Sequence, residues 1–173
     1  MTRTSFWAGV ALAALAWARP AGGQEPRAAF AAAGAALDSA TTAQVAAVVA
    51  DARAQGLPVD PIVAKVRLGA LRQAPDSLIV AAAKAVAQRL AIARVALQPL
   101  PAPGDVAAGA DALSTGVTPE ALRMIRAASG NRPVAVPLGV VAELTATGVP
   151  PVRAATIITA LMRRGAPERQ LVA

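Results

Sequence analysis

The feature that most constrains this chain is a phrase that occurs twice: a helix-forming run, a glycine, an aliphatic residue, a proline, and a second helix-forming run. It stands at Gly56-Leu57-Pro58 and again at Gly148-Val149-Pro150. Val48–Ala81 aligns onto Val140–Ala173 without a gap, with Gly56/Gly148, Pro58/Pro150, Arg72/Arg164 and Pro75/Pro167 identical and Asp51/Glu143 and Asp76/Glu168 conserving charge. Alanine identities carry little weight in so alanine-rich a chain. The glycine and proline pairs have a mechanical meaning. Glycine just past a helix takes the left-handed conformation without a Cβ penalty. Proline after it cannot continue that helix but suits the first turn of the next. Looser copies stand at Gly116-Val117-Thr118-Pro119, at Gly165-Ala166-Pro167 and, lacking the glycine, at Gln73-Ala74-Pro75. The implied fold class is all-α: short helices in helical-hairpin or solenoid-like repeats, joined by Gly-aliphatic-Pro turns.

The joints and the local composition divide the 173 residues. Residues 1–23 read as a secretory signal peptide: Arg3, an uncharged apolar run over Phe6–Ala18, then Arg19-Pro20 and small residues. Such a run is shorter than the ~20 residues that span a bilayer and suits a signal's apolar region. Cleavage falls after Gly23 or after Ala18; left uncleaved, the run becomes an inner-membrane anchor. Residues 24–40 form an Ala-rich, weakly ordered lead-in, residues 41–98 a first helical half and residues 99–105 a Pro-rich linker. Residues 106–173 form a second half, truncated relative to the first: Ala173 matches Ala81, beyond which the first half continues its helix. The last helix, from Pro167, is then either a stub or one whose apolar end face a partner or a second copy covers.

Within the halves, Thr41-Thr42-Ala43-Gln44 predicts a capped helix start, and Val45, Val48, Val49 and Ala52 share one face of a helix running to Gln55. Val59, Ile62, Val63, Val66 and Ala70 make the apolar stripe of the next helix, opened by Pro58. The longest helix runs from Pro75-Asp76 to about Gln98, with a near-heptad seam of Ile79, Ala82, Val86, Leu90, Ala93 and Leu97 that suits packing within the fold. Helices are further expected over Asp105–Thr115, from Thr118-Pro119-Glu120 onward, over Pro137–Thr147 and over Pro150–Arg164.

Composition excludes much chemistry. The chain has no Cys and no His, which removes disulfides, thiol catalysis, thiolate metal sites and the commonest general base. Most carboxylates (Asp38, Asp60, Asp76, Asp105, Glu120, Glu168) stand at helix starts, where capping explains them, and Asp51 and Glu143 recur before the joints. Ser39, Ser77, Ser114 and Ser129 lack any G-x-S-x-G context, and Lys65 and Lys84 lack a Ser-x-x-Lys spacing. No phosphate-cradling glycine motif is present. No catalytic, cofactor-binding or metal-binding residue is therefore assigned, and the chain reads as non-enzymatic. The formal charge is +7, carried mainly by scattered arginines.

Val140–Arg164 resembles a helix-turn-helix in rhythm, with Arg153, Arg163 and Arg164 near its second helix. That resemblance implies DNA contact, but Pro150 and Pro151 stand where base-contacting residues are needed, and an export signal makes DNA the wrong partner. The expectation is an exported structural or protein-interaction module of the bacterial envelope, periplasmic or secreted, whose partner is another protein or a second copy meeting apolar helix faces. The alternative is a peripheral binder of anionic envelope components, lipid headgroups or polyanions, acting through its arginines.

Overall fold

Alanine-rich runs punctuated by proline and glycine favour short helices, and each apolar stripe needs a face to pack on. The computed structural model describes residues 37–165 and is all-helical there. Seven helices follow one another: α1 Ser39–Ala54, α2 Asp60–Leu71, α3 Asp76–Ala96, α4 Pro103–Ser114, α5 Pro119–Ser129, α6 Ala135–Ala146 and α7 Pro151–Arg163. The signal-like segment, the lead-in before residue 37 and the expected last helix from Pro167 lie outside the described residues.

The recurring joint is a hydrogen-bonded helix stop. After α1, the Gly56 N–H donates to the Arg53 carbonyl (2.8 Å) and the Leu57 N–H to the Ala52 carbonyl (2.9 Å). After α6, Gly148 donates to Thr145 (3.0 Å) and Val149 to Leu144 (2.9 Å), at matching positions of the internal alignment. Gly116 and Val117 close α4 in the same way, on Leu113 and Ala112. This is the Schellman arrangement, which satisfies carbonyls that the helix end would otherwise orphan. It needs a left-handed residue between the two donors, and Gly56, Gly116 and Gly148 have φ of 67°, 97° and 99°. The aliphatic residue folds back as anticipated: Leu57 and Val117 are buried and Val149 packs on the core.

The copy without glycine forms the same joint. Gln73 donates to Ala70 and Ala74 to Gly69 (both 3.0 Å), so Gln73 itself adopts a φ of 52°. A side chain in that region costs energy that glycine does not. Gln73→Gly is expected to stabilise the fold by about 0.5–1 kcal/mol, with Gly148→Ala shifting it about as far the other way. Paired urea titrations followed by circular dichroism check both signs.

Several starts differ from the sequence reading. α1 begins before the Thr41 capping box because Asp38 is its cap: the Asp38 carboxylate accepts the Thr41 N–H at 2.6 Å, a charge-assisted bond stronger than one to a hydroxyl. Thr41 is buried inside the first turn instead. α2 begins at Asp60 rather than at Pro58, with Pro61 in its first turn. α4 takes its first residue, Pro103, from the expected linker of residues 99–105, since proline needs no N–H partner at a helix start. α5 starts as read: the Thr118 hydroxyl accepts the Ala121 N–H at 3.3 Å, one residue before Pro119.

Consecutive helices pack as hairpins. Ile79 near the start of α3 lies against Gly69 near the end of α2. α4 runs back along α3, with Gly109 against Ala93 and Leu97, and Ala110 and Ser114 in one groove with Val86. A second layer of contacts joins alternate helices side by side in parallel. Arg94 of α3 lies at Gly56 beyond the α1 C-terminus, Asp105 links the N-termini of α4 and α6, and Arg132 bridges the C-termini of α5 and α7. One continuous hydrophobic core runs through all seven helices, across the proline-rich connection between α3 and α4.

The internal repeat survives as α1–α2 and α6–α7. Val49, Ile62, Val63 and Val66 are buried in the first pair, and Val141, Ala154, Ala155 and Ile158 in the second. The first pair is covered by α3, which follows it in sequence. The second is covered by α4 and α5, which precede it. Val141 and Ala154 are both 0 % exposed, whereas Val152 and Ile157 on the outer side of α7 stand 68 % and 44 % exposed.

Candidate functional site

The chemistry-bearing residues mostly serve their own helices. Asp60, Asp76 and Glu120 each sit in a helix's first turn, where a negative charge meets the positive helix end. The Ser114 hydroxyl donates to the Asp111 carbonyl (2.7 Å) and that of Ser129 to the Arg126 carbonyl (2.7 Å). Among the described residues no three acidic side chains converge as a metal site would need. The Thr159 hydroxyl is the one buried side-chain polar atom there without a hydrogen-bond partner.

Asp105 is the exception. It is 4 % exposed and lies in the first turn of α4. One carboxylate oxygen accepts the N–H groups of Val134 and Ala135, each at 2.9 Å, at the start of α6. One buried anion thus sits at the positive ends of two helices. This also explains why α6 begins at Ala135 rather than at Pro137. Its own entry, Val134-Ala135-Val136, offers no capping side chain, and that gap was the legible sign of an acceptor elsewhere.

Among the described residues, two open grooves cross the surface. One, of about 430 Å³, lies between α2 and α4 over α3 and carries Lys65, Leu68, Arg89, Asp111 and Ser114 on its walls. The other, of about 400 Å³, lies between the end of α3 and α5, among Val95, Gln98, Pro99, Arg123, Arg126 and Asn131. The second is cationic. Arg126 donates to the Arg132 carbonyl (3.1 Å) and Arg132 to that of Met162 (3.3 Å), so Arg132 ties the end of α5 to the end of α7, where Arg163 and Arg164 follow in the chain. The single ion pair among the described residues, Arg123–Glu120 at 3.0 Å, is exposed. The three arginines of the helix-turn-helix resemblance do not gather on one recognition surface: Arg153 stands in the first turn of α7 and Arg163-Arg164 at its far end, about 15 Å away.

A third surface is apolar. The inward face of α3 buries Ile79, Val86, Leu90, Ala93 and, just past its end, Leu97, as the heptad seam anticipated, whereas Ala82 of that seam is only half-buried and Ala83 is buried in its place. Its outward face carries a second stripe, Leu78, Ala81, Ala85, Gln88, Ile92 and Val95, in which Leu78, Ile92 and Val95 are 61 %, 42 % and 68 % exposed. Sequence periodicity did not separate the two stripes, because alanine fills both.

Two carboxylates titrate below their ordinary values. Asp38 is lowered first by the N–H of Thr41, then by the Thr41 hydroxyl and the neighbouring Asp76 carboxyl. Glu120 is lowered first by its own backbone N–H, then by Arg123 and Thr118. A depressed folded-state pKa adds stability that is present above the unfolded value and lost as pH falls through the folded one. The melting temperature should therefore fall on acidification below the ordinary carboxylate range. Asp38→Asn should flatten that fall, which a series of melts from neutral to acidic pH reads directly.

The fold and these surfaces define an all-helical, hairpin-packed domain with an apolar outer stripe and a cationic end. No protein-family model, curated protein or solved structure matches the chain. Among the described residues no helix is long and apolar enough to cross a membrane.

Proposed function

We propose that the chain is an exported, non-enzymatic structural or protein-interaction module of the bacterial envelope. The observation that carries this reading is the outward stripe of α3. Leucine, isoleucine and valine are held out to solvent along a helix whose opposite face is the core, and such surfaces serve as contact sites. The signal-like segment Met1–Gly23 supports export. The test is a photo-crosslinking residue in place of Val95 in intact cells, with N-terminal sequencing of the fractionated protein. A discrete adduct in the envelope fraction and a mature start near Gln24 are expected. An intact Met1 in the cytoplasm with no adduct would overturn the proposal.

The cationic end favours a second reading, a peripheral binder of anionic envelope components through Arg123, Arg126, Arg132, Arg163 and Arg164. Co-sedimentation with anionic vesicles separates the two. The interaction module leaves the vesicles largely bare. The binder coats them, releases as salt rises, and is weakened by Arg126→Glu.

A further inference from the structure

The geometry points to a second copy of this chain as the occupant of the α3 outer stripe, seated antiparallel about a two-fold axis between Val86 and Ala87. This rests on the interaction-module reading and names its partner. The stripe residues Leu78, Ala81, Ala85, Gln88, Ile92 and Val95 step alternately by three and four positions, the spacing that keeps two supercoiled helices in contact. They extend over about 26 Å of helix. Large residues stand at both ends and small ones near the middle. An antiparallel copy sets Leu78 against Val95 and fits Ala81 under Ile92, pairing small with large across the contact. It also sets Ala85 beside Gln88, so the one polar residue of the stripe lies at the axis, where it fixes the register.

The flanking charges choose the orientation. Lys84 borders one edge of the stripe and Arg89 the other. In a parallel pair the opposite edges of the two helices meet, which sets Lys84 against Arg89 twice, like charge on like charge. In the antiparallel pair each edge meets its own counterpart, so that Lys84 faces Ala91 and Arg89 faces Ala82. A contact of one helix on one helix falls short of the roughly 1,200 Å² of a standard stable interface, so the dimer is weak and its population depends on concentration.

The test is sedimentation equilibrium of the full mature chain up to millimolar concentration, together with cysteine crosslinking, for which the absence of native cysteine gives a clean background. A monomer–dimer equilibrium is expected, weakened about tenfold or more by Val95→Glu, with the helical circular dichroism unchanged. A mixture of Leu78→Cys and Val95→Cys chains should form the mixed disulfide, while Leu78→Cys alone should not crosslink. A chain that stays monomeric throughout, a dimer indifferent to Val95→Glu, or Leu78→Cys crosslinking with itself each overturns the proposal. If the monomer still gives the Val95 photo-adduct with a different protein, only the choice of partner fails. If it gives no adduct, the interaction reading fails with it.

Discussion

Asp105→Ala is expected to lower the unfolding free energy by about 3 kcal/mol and the melting temperature by roughly 10 °C. The carboxylate is buried, and its oxygen accepts two backbone N–H groups at 2.9 Å each. Truncation leaves those donors at the head of α6 facing apolar side chains, and each unsatisfied buried donor costs about 1–3 kcal/mol. The loss also removes a negative charge from the positive ends of α4 and α6 together. Asp105→Asn keeps an acceptor but not the charge, so it should lose roughly half as much. Thermal melts give the size of the effect. Hydrogen exchange gives its place, since the amides of Val134 and Ala135 should lose protection ahead of those in α1. Unchanged protection at those two amides would show that Asp105 does not hold them.

The second large effect is expected at Gly109, where α4 crosses α3. A Cβ there would lie 3.0 Å from the Ala93 Cβ and 3.1 Å from a Leu97 methyl. Ala93 cannot turn aside, because its Cβ is fixed to the backbone, and Leu97 is itself fully buried. The helices must therefore separate, and the pair they form sits at the centre of the molecule. Gly109→Val should cost about 3 kcal/mol, at the upper end for overpacking a core. Gly109→Ala should cost less, about 1 kcal/mol, because alanine recovers about 1 kcal/mol of helix propensity. Gly139→Ala is the matched control. It lies on the exposed side of α6 with nothing within 4 Å of the added Cβ, and should stabilise by up to about 1 kcal/mol. Equilibrium urea unfolding of the three variants separates contact from propensity.

These two residues mark how far the sequence could be read. Gly109 reads as one more small residue in an alanine-rich helix, and only the crossing of α3 and α4 shows why a methyl group is excluded there. Asp105 reads as an ordinary acid in a helix's first turn, which it is. Its second role needs a partner almost thirty residues away, and the local trace of that role was negative, an α6 with no cap of its own. Gln73 was legible as the joint lacking glycine, but its left-handed backbone was not. The candidate surfaces were legible only in kind. Arginines and apolar faces are plain in the sequence, whereas the meeting of α5 and α7 that groups the arginines is not.

What the sequence by itself determined is local. Helix class, the joints at Gly56, Gly116 and Gly148, the Thr118-Pro119 start of α5 and the inner stripe of α3 all follow from residues within a turn or two of one another, because backbone conformation and capping are short-range physics. What only the tertiary structure decided is which faces meet. It set α4 and α5 over the second copy of the repeat. It left one of the two alanine-diluted stripes of α3 outside. The reason is that alanine makes nearly every helix face packable, so the choice among faces falls to the few large residues and to where short connections allow the helices to turn back.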